Sequence, residues 1–378
     1  MQKLISSYTL LYIILIFCSS LLQIVPGIAL LREGYILFLI FACLIYLDKL
    51  RFNKSIVLIL VYIICNFVSF FISPNKNDSL TSFILYISGP LIFCLITSIP
   101  LKKRTIFDLE HKIIKLFIFF IIIGLIIFPI QMQFYAAFGI DTTKGALLNI
   151  YRFTSSGQMK IRLSGLCVHP TTMGSICLFV FLYYFILGNK KKISVLTAIP
   201  YYLSNTRSII MGTPFVWYLF LPPKRKVFIT FLVPSFVIIL IIFLTTTILD
   251  SSIIVHIADL FLRGPELLLK NVNLIGHGHG TMSPFTSKSS FIHVESDLYI
   301  ALMQIGIVGT VLYIFIILKF LYRLQKDNNP SSKFCAFVVV CINMGCIVLS
   351  YYCIRVLSNF MWIELALYFS KRRYICQK

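Results

Sequence analysis

Long apolar runs closed by short polar stretches set the rhythm of this chain. The runs lie near 5–25, 30–48, 55–73, 80–100, 113–133, 168–188, 193–205, 208–222, 227–249, 297–320, 334–353 and 355–370. A helix of roughly 20 apolar residues crosses a hydrocarbon core ~30 Å thick, so the pattern predicts about twelve transmembrane helices. The seventh run is short and carries Pro200 and Asn205. Residues 193–222 therefore read as a re-entrant hairpin or one broken helix. Strands of a membrane barrel would alternate and be about ten residues long, which these runs are not. The expected architecture is an all-α polytopic integral membrane protein, one domain over 1–378.

Composition agrees. The chain is 59% hydrophobic and 12% charged, with mean hydropathy +0.93, which excludes an ordinary soluble domain. Lys3 precedes the first run, and no small-x-small cleavage site follows it. That run reads as a span and not a cleaved signal.

The net charge of +21 would suggest nucleic acid in a soluble protein. Here most cations form clusters between apolar runs: Lys49/Arg51/Lys54, Lys102/Lys103/Arg104, Lys190/Lys191/Lys192, Lys224/Arg225/Lys226, Arg323/Lys326/Lys333 and Lys371/Arg372/Arg373. They fall at every second loop, the positive-inside pattern, with both termini cytoplasmic. No basic-aromatic motif for nucleic acid stands out. Two long outer loops, 135–167 and 250–296, break the rule. They hold Lys144, Arg152, Lys160 and Arg162, then Arg263, Lys270 and Lys288. Arg207 and Arg355 fall at outer ends of spans. Cations kept on the translocated side point to an anionic ligand, or to contact with anionic headgroups. The 11 cysteines are scattered, mostly within apolar runs, without CxxC or zinc spacing. No internal repeat is visible.

Three polar constellations could carry chemistry. The first is Arg162-Leu-Ser-Gly165-Leu-Cys-Val-His169-Pro170-Thr-Thr-Met-Gly174. Pro170 suits the first turn of a helix, with His169 at its cap. Such a terminus beside Arg and His can bind an oxyanion or phosphate; it can also be a plain loop-to-helix turn. The second, Ser204-Asn205-Thr206-Arg207-Ser208, interrupts an apolar hairpin at its outer tip, where Arg207 must snorkel or meet an anion. The third is Gly276-His277-Gly278-His279-Gly280, followed by Ser289, His293, Glu295 and Asp297. Its glycines imply a tight turn. The histidine spacing is weak for metal, while His293 or Glu295 could be a general base. Gly306 and Gly309 read as helix-packing glycines.

Arg-x-x-Gly-x-x-x-His-Pro, a hairpin with a Ser-x-x-Arg tip, Gly-x-Gly, and a polar cluster before Gly-x-x-Gly follow one another in this order. The order resembles the O-antigen polymerase and ligase superfamily, over roughly 110–325. The resemblance implies a GT-C-like multipass glycosyltransferase on the outer face of the bacterial inner membrane. Its substrates would be undecaprenyl-pyrophosphate-linked oligosaccharides as donor and acceptor, with membrane lipid and a chain-length regulator protein as further partners. It implies pyrophosphate-binding roles for Arg162 and Arg207, with Arg263 and Arg355 less directly matched. His169, His293 and Glu295 are the candidate catalytic groups. The ligase branch shows a His-Asn pair where this chain has Glu295-Ser296-Asp297, which favours a polymerase. No cofactor, metal or nucleotide sugar is required. The alternatives are a ligase acting on lipid A–core and a lipid-linked oligosaccharide flippase, which would hold its cations at mid-membrane depth.

Overall fold

Apolar runs without backbone partners in lipid must satisfy their own N–H and C=O groups, and the chain does so as helices. The computed structural model describes residues 1–22, 28–50, 54–74, 76–140, 150–153, 159–188, 191–204, 206, 212–222, 226, 266, 271–280, 296–348 and 351–375. Within them the elements are α1 (Gln2–Phe17), α2 (Ser19–Leu22), α3 (Ile28–Ile45), α4 (Lys54–Ile72), α5 (Lys76–Ser98), α6 (Lys103–Ile127) and α7 (Gln131–Ala137). A short antiparallel pair follows, β1 (Tyr151–Phe153) and β2 (Met159–Ile161), with Arg152 opposite Lys160. Then come α8 (Pro170–Ile186), α9 (Lys191–Ser204), α10 (Gly212–Leu219), α11 (Asp297–Asp327), α12 (Pro330–Val348) and α13 (Tyr351–Ile375).

Every predicted span has a helix over at least part of its length except 227–249, which lies outside the described residues. Among the described residues four stretches are long and apolar enough to cross a membrane: Ser55–Ile72, Ser79–Ser98, Lys103–Ala137 and Leu298–Asp327. Gln2–Phe17, Pro170–Ile186 and Pro330–Gly345 are apolar but shorter. Large apolar side chains face outward in helical register: Leu37, Phe41 and Leu44 on α3, Val57, Leu60 and Ile64 on α4, Val311, Phe315 and Leu318 on α11. Outward apolar stripes on several helices are what lipid selects. The chain is an α-helical membrane protein. The 193–222 stretch contains two helices, α9 and α10, and most of the residues that join them lie outside the described residues. Within residues 135–167 the described parts include the end of α7 and both strands.

The bundle is held inside by aromatic packing. Trp362 of α13 meets Phe93 and Phe320 edge-on, and Gly89 of α5 admits it: a Cβ there would stand 2.3 Å from Trp362 Cδ1. Among the described residues, members of several basic clusters meet at one end. Arg323 donates to Ser55 Oγ at 2.9 Å beside Lys54. Arg372 forks onto Asp327 at 2.6 and 3.0 Å. Tyr374 donates to the Leu101 carbonyl, and Gln2 donates to the Pro100 carbonyl at 3.0 Å. Lys371 is buried at that end, 2.9 Å from Glu110, and lies over the Phe107 ring.

α11 is broken. Gly306 has φ +72° and ψ −176°, a conformation essentially confined to glycine. A segment from the third constellation fills the gap. His277 N–H donates to the Met303 carbonyl at 2.7 Å and Gly278 N–H to Gln304 at 3.2 Å; Ile307 N–H donates to Asn273 at 3.1 Å and Val308 N–H to Leu274 at 3.2 Å. The loop thus caps both halves of the helix. Sequence pattern treated Gly306 as a packing glycine; the structure makes it the break itself. Gly309 remains an ordinary helical glycine.

Candidate active site

The first constellation leaves β2 and turns through Gly165–Cys167 into α8. Gln131 of α7 holds this turn. Its amide donates to the Arg162 carbonyl at 3.0 Å, and its oxygen accepts from Ser164 N–H at 2.9 Å and Gly165 N–H at 3.2 Å. Tyr135, one turn on, donates to the Gly165 carbonyl at 2.6 Å. Both are fully buried. Only glycine fits at 165: its φ is +52°, and a Cβ there would lie 2.7 Å from Gly124 Cα of α6. Val168 follows at φ 62°, an outlier for a β-branched residue of the kind that clusters at functional sites. His169 caps α8 and Pro170 opens it, as the sequence predicts, although the imidazole makes no capping bond.

The hairpin tip comes to this turn. Leu163 N–H donates to the Leu203 carbonyl at 3.0 Å, and Arg162 Nε donates to the Ser204 carbonyl at 2.9 Å. Thr206 Oγ1 donates to the Pro170 carbonyl at 3.1 Å. Two constellations some 40 residues apart are therefore one structure: Arg162, His169 and the Ser204–Thr206 tip gather at the N-terminal end of α8. Arg207 is the next residue in the chain and lies outside the described residues. Burial, reinforced by the Arg162 cation, pushes the His169 imidazole down to about 4. It is uncharged at neutral pH. A half-buried guanidinium, a helix N-terminus and a neutral imidazole form a surrounding suited to a multiply charged oxyanion.

Of the third constellation, Gly276–Gly280 and Asp297 are among the described residues, while Ser289, His293 and Glu295 are not. His279 is fully buried between α4, α5 and α11. Ser82 donates to Gln304 Oε1 at 2.9 Å, so its oxygen is left to accept from His279 Nδ1 at 3.3 Å. Ser73 donates to the His279 carbonyl at 2.7 Å and Ser69 to the Gln304 carbonyl at 2.7 Å. Burial pushes His279 down to about 4, outweighing polar contacts with Gln304 and the Asn66 backbone. His277 Nε2 faces the Asn271 carbonyl. Both histidines serve the splice in α11, which is a different use from the metal binding weighed above.

Arg263, His293 and Glu295 lie outside the described residues, and Arg355 is placed by backbone alone, in the first turns of α13. Sequence reasoning missed Gln131. Its only signal is an amide at the loop end of an apolar run, where an unpaired polar group would be expensive. Comparison with protein-family models, with curated proteins and with solved structures gives no match.

Proposed function

We propose that the protein is a polymerase that joins undecaprenyl-pyrophosphate-linked oligosaccharide units into O-antigen or a related surface polysaccharide. In this reading it is a GT-C-like enzyme of about twelve spans in the bacterial inner membrane, with both termini in the cytoplasm. The observation that carries it is the union of the Arg162 turn with the Ser204–Thr206 tip at the N-terminus of α8. That union brings the Arg162 turn and the hairpin tip to one helix end, and Arg207 is the next residue in the sequence.

The chemistry follows from the groups. The acceptor sugar hydroxyl attacks the donor's anomeric carbon, a new C–O bond forms, and the bond to pyrophosphate breaks with inversion. Negative charge grows on the departing pyrophosphate. Arg162 and Arg207 stabilise it most where water is excluded. His169, with its pKa near 4, is a poor base at neutral pH and acts as a hydrogen-bond donor to the same phosphates. The acceptor's proton goes to Glu295 or His293. A detached pyrophosphate is stable, so no strong general acid is needed.

The test uses purified protein in detergent with lipid-linked repeat units as sole substrate. A ladder of products without nucleotide, metal or other enzyme is the expected result. A competent, matched substrate that gives no ladder refutes the reading. Transfer that occurs only when lipid A–core is added identifies a ligase instead.

A further inference from the structure

We propose that Gly174 and Thr206 are positioning residues that set where the Arg162 guanidinium stands; the proposal rests on the polymerase reading for its catalytic consequence, not for its geometry. Gly174 lies on the second turn of α8 and faces the hairpin tip. A Cβ there would stand 2.5 Å from Thr206 Oγ1 and 2.6 Å from both Ser204 Oγ and Thr206 Cβ. The tip has nowhere to retreat. Thr206 is tied to the Pro170 carbonyl at 3.1 Å, and its own carbonyl accepts from Tyr201 OH. Ser204 Oγ donates to the Tyr201 carbonyl at 2.6 Å. Ser204 and Thr206 are 0% and 4% exposed, so neither rotates freely into solvent.

The chain of consequence is short. The missing side chain at 174 fixes how closely the tip approaches α8. The tip carries the Ser204 carbonyl. That carbonyl accepts Arg162 Nε at 2.9 Å, and Leu203, its neighbour, accepts Leu163 N–H at 3.0 Å. Arg162 is therefore registered against the helix end through the tip. A methyl group at 174 must move the tip by about 1 Å to reach ordinary carbon contact. Displacements of that size in groups facing a reacting centre lower turnover by about a hundredfold.

The experiment measures Arg162 directly. Phenylglyoxal labels arginine, and the peptide containing Arg162 is quantified by mass spectrometry in the intact, detergent-solubilised protein. Gly174→Ala should label Arg162 about fivefold faster, the equivalent of one lost hydrogen bond. Thr206→Val keeps the shape, removes the bond to Pro170, and should shift labelling the same way should Gly174→Ala not fold. In the polymer assay Gly174→Ala should lower kcat about a hundredfold with KM little changed. Wild-type labelling in both single variants overturns the proposal. Faster labelling in the variants, when the wild-type protein itself makes no ladder, keeps the positioning and refutes the polymerase.

Discussion

Gly306→Ala offers the sharpest test of the broken helix. The residue's backbone, φ +72° and ψ −176°, is a region where a side chain costs about 1–3 kcal/mol. The new methyl would also stand 2.4 Å from Gly276 N and from the Leu274 carbonyl. Both are backbone atoms of the inserted loop, so no rotamer change relieves the contact. Moving the loop away releases four main-chain hydrogen bonds of 2.7–3.2 Å, each worth ~0.5–1.5 kcal/mol net. Conformational strain and partial loss of the four bonds together give about 3–6 kcal/mol. Gly309→Ala is the control. Its Cβ would meet only the Ile305 side chain of its own helix, at 3.1 Å, and the expected change is under about 1 kcal/mol. Both variants are titrated with dodecyl sulfate in mild detergent, following loss of native tryptophan fluorescence and monodispersity. Equal midpoints for the two variants would show that the break is not a fixed part of the fold, and the reasoning would fail.

Further expectations follow from the same structure. Arg162→Ala and Arg207→Ala should each abolish the ladder while leaving expression and size-exclusion behaviour intact, and Arg162→Lys should recover little, because a lysine lacks the planar fork; a wild-type chain-length distribution in either alanine variant removes that residue from the site. Lys371→Met should destabilise by about 3–5 kcal/mol, since it leaves Glu110 buried without its cation, and combining it with Glu110→Gln should restore most of that loss in the same titration. His169 has a folded-state value of about 4 against ~6.5 when unfolded. The unfolded chain therefore binds the extra proton between those values, so stability is complete above pH ~6.5 and falls by up to ~3 kcal/mol as pH drops toward 4. His169→Asn should flatten the stability–pH slope across that window; an unchanged slope contradicts a buried, neutral imidazole.

The helices were legible because lipid demands long apolar runs, and the basic residues between them were legible as polar breaks in that pattern. Lys371 and Arg372 illustrate it: the sequence places them with Lys102–Arg104 and Arg323 at a single end, and the ion pairs and hydrogen bonds there agree. The cap at His169-Pro170 was also readable, since proline at a first turn leaves few alternatives. What pattern did not show is contact between distant segments. Nothing about Arg162 and Ser204 taken singly says that one donates to the other's carbonyl. Gln131 hid because an amide in an apolar run looks like noise until three partners surround it. Gly306 hid for the opposite reason. Gly-x-x-Gly has a common use in membrane helices, and only the backbone angle distinguishes a notch from a fracture.

The splice in α11 also constrains how the chain is made. Ser69, Ser73 and Ser82 leave the ribosome in α4 and α5, yet their partners Gln304 and His279 lie 235, 206 and 222 residues further on. During that interval the serine hydroxyls and the face they occupy have no loop to receive. The loop in turn cannot dock until the first half of α11 has been synthesised, because Met303 and Gln304 supply its acceptors. Docking of this loop therefore waits until residue 304 has been made, after α1 to α10. A chain truncated before residue 303 would leave the Ser69 and Ser82 hydroxyls without these partners.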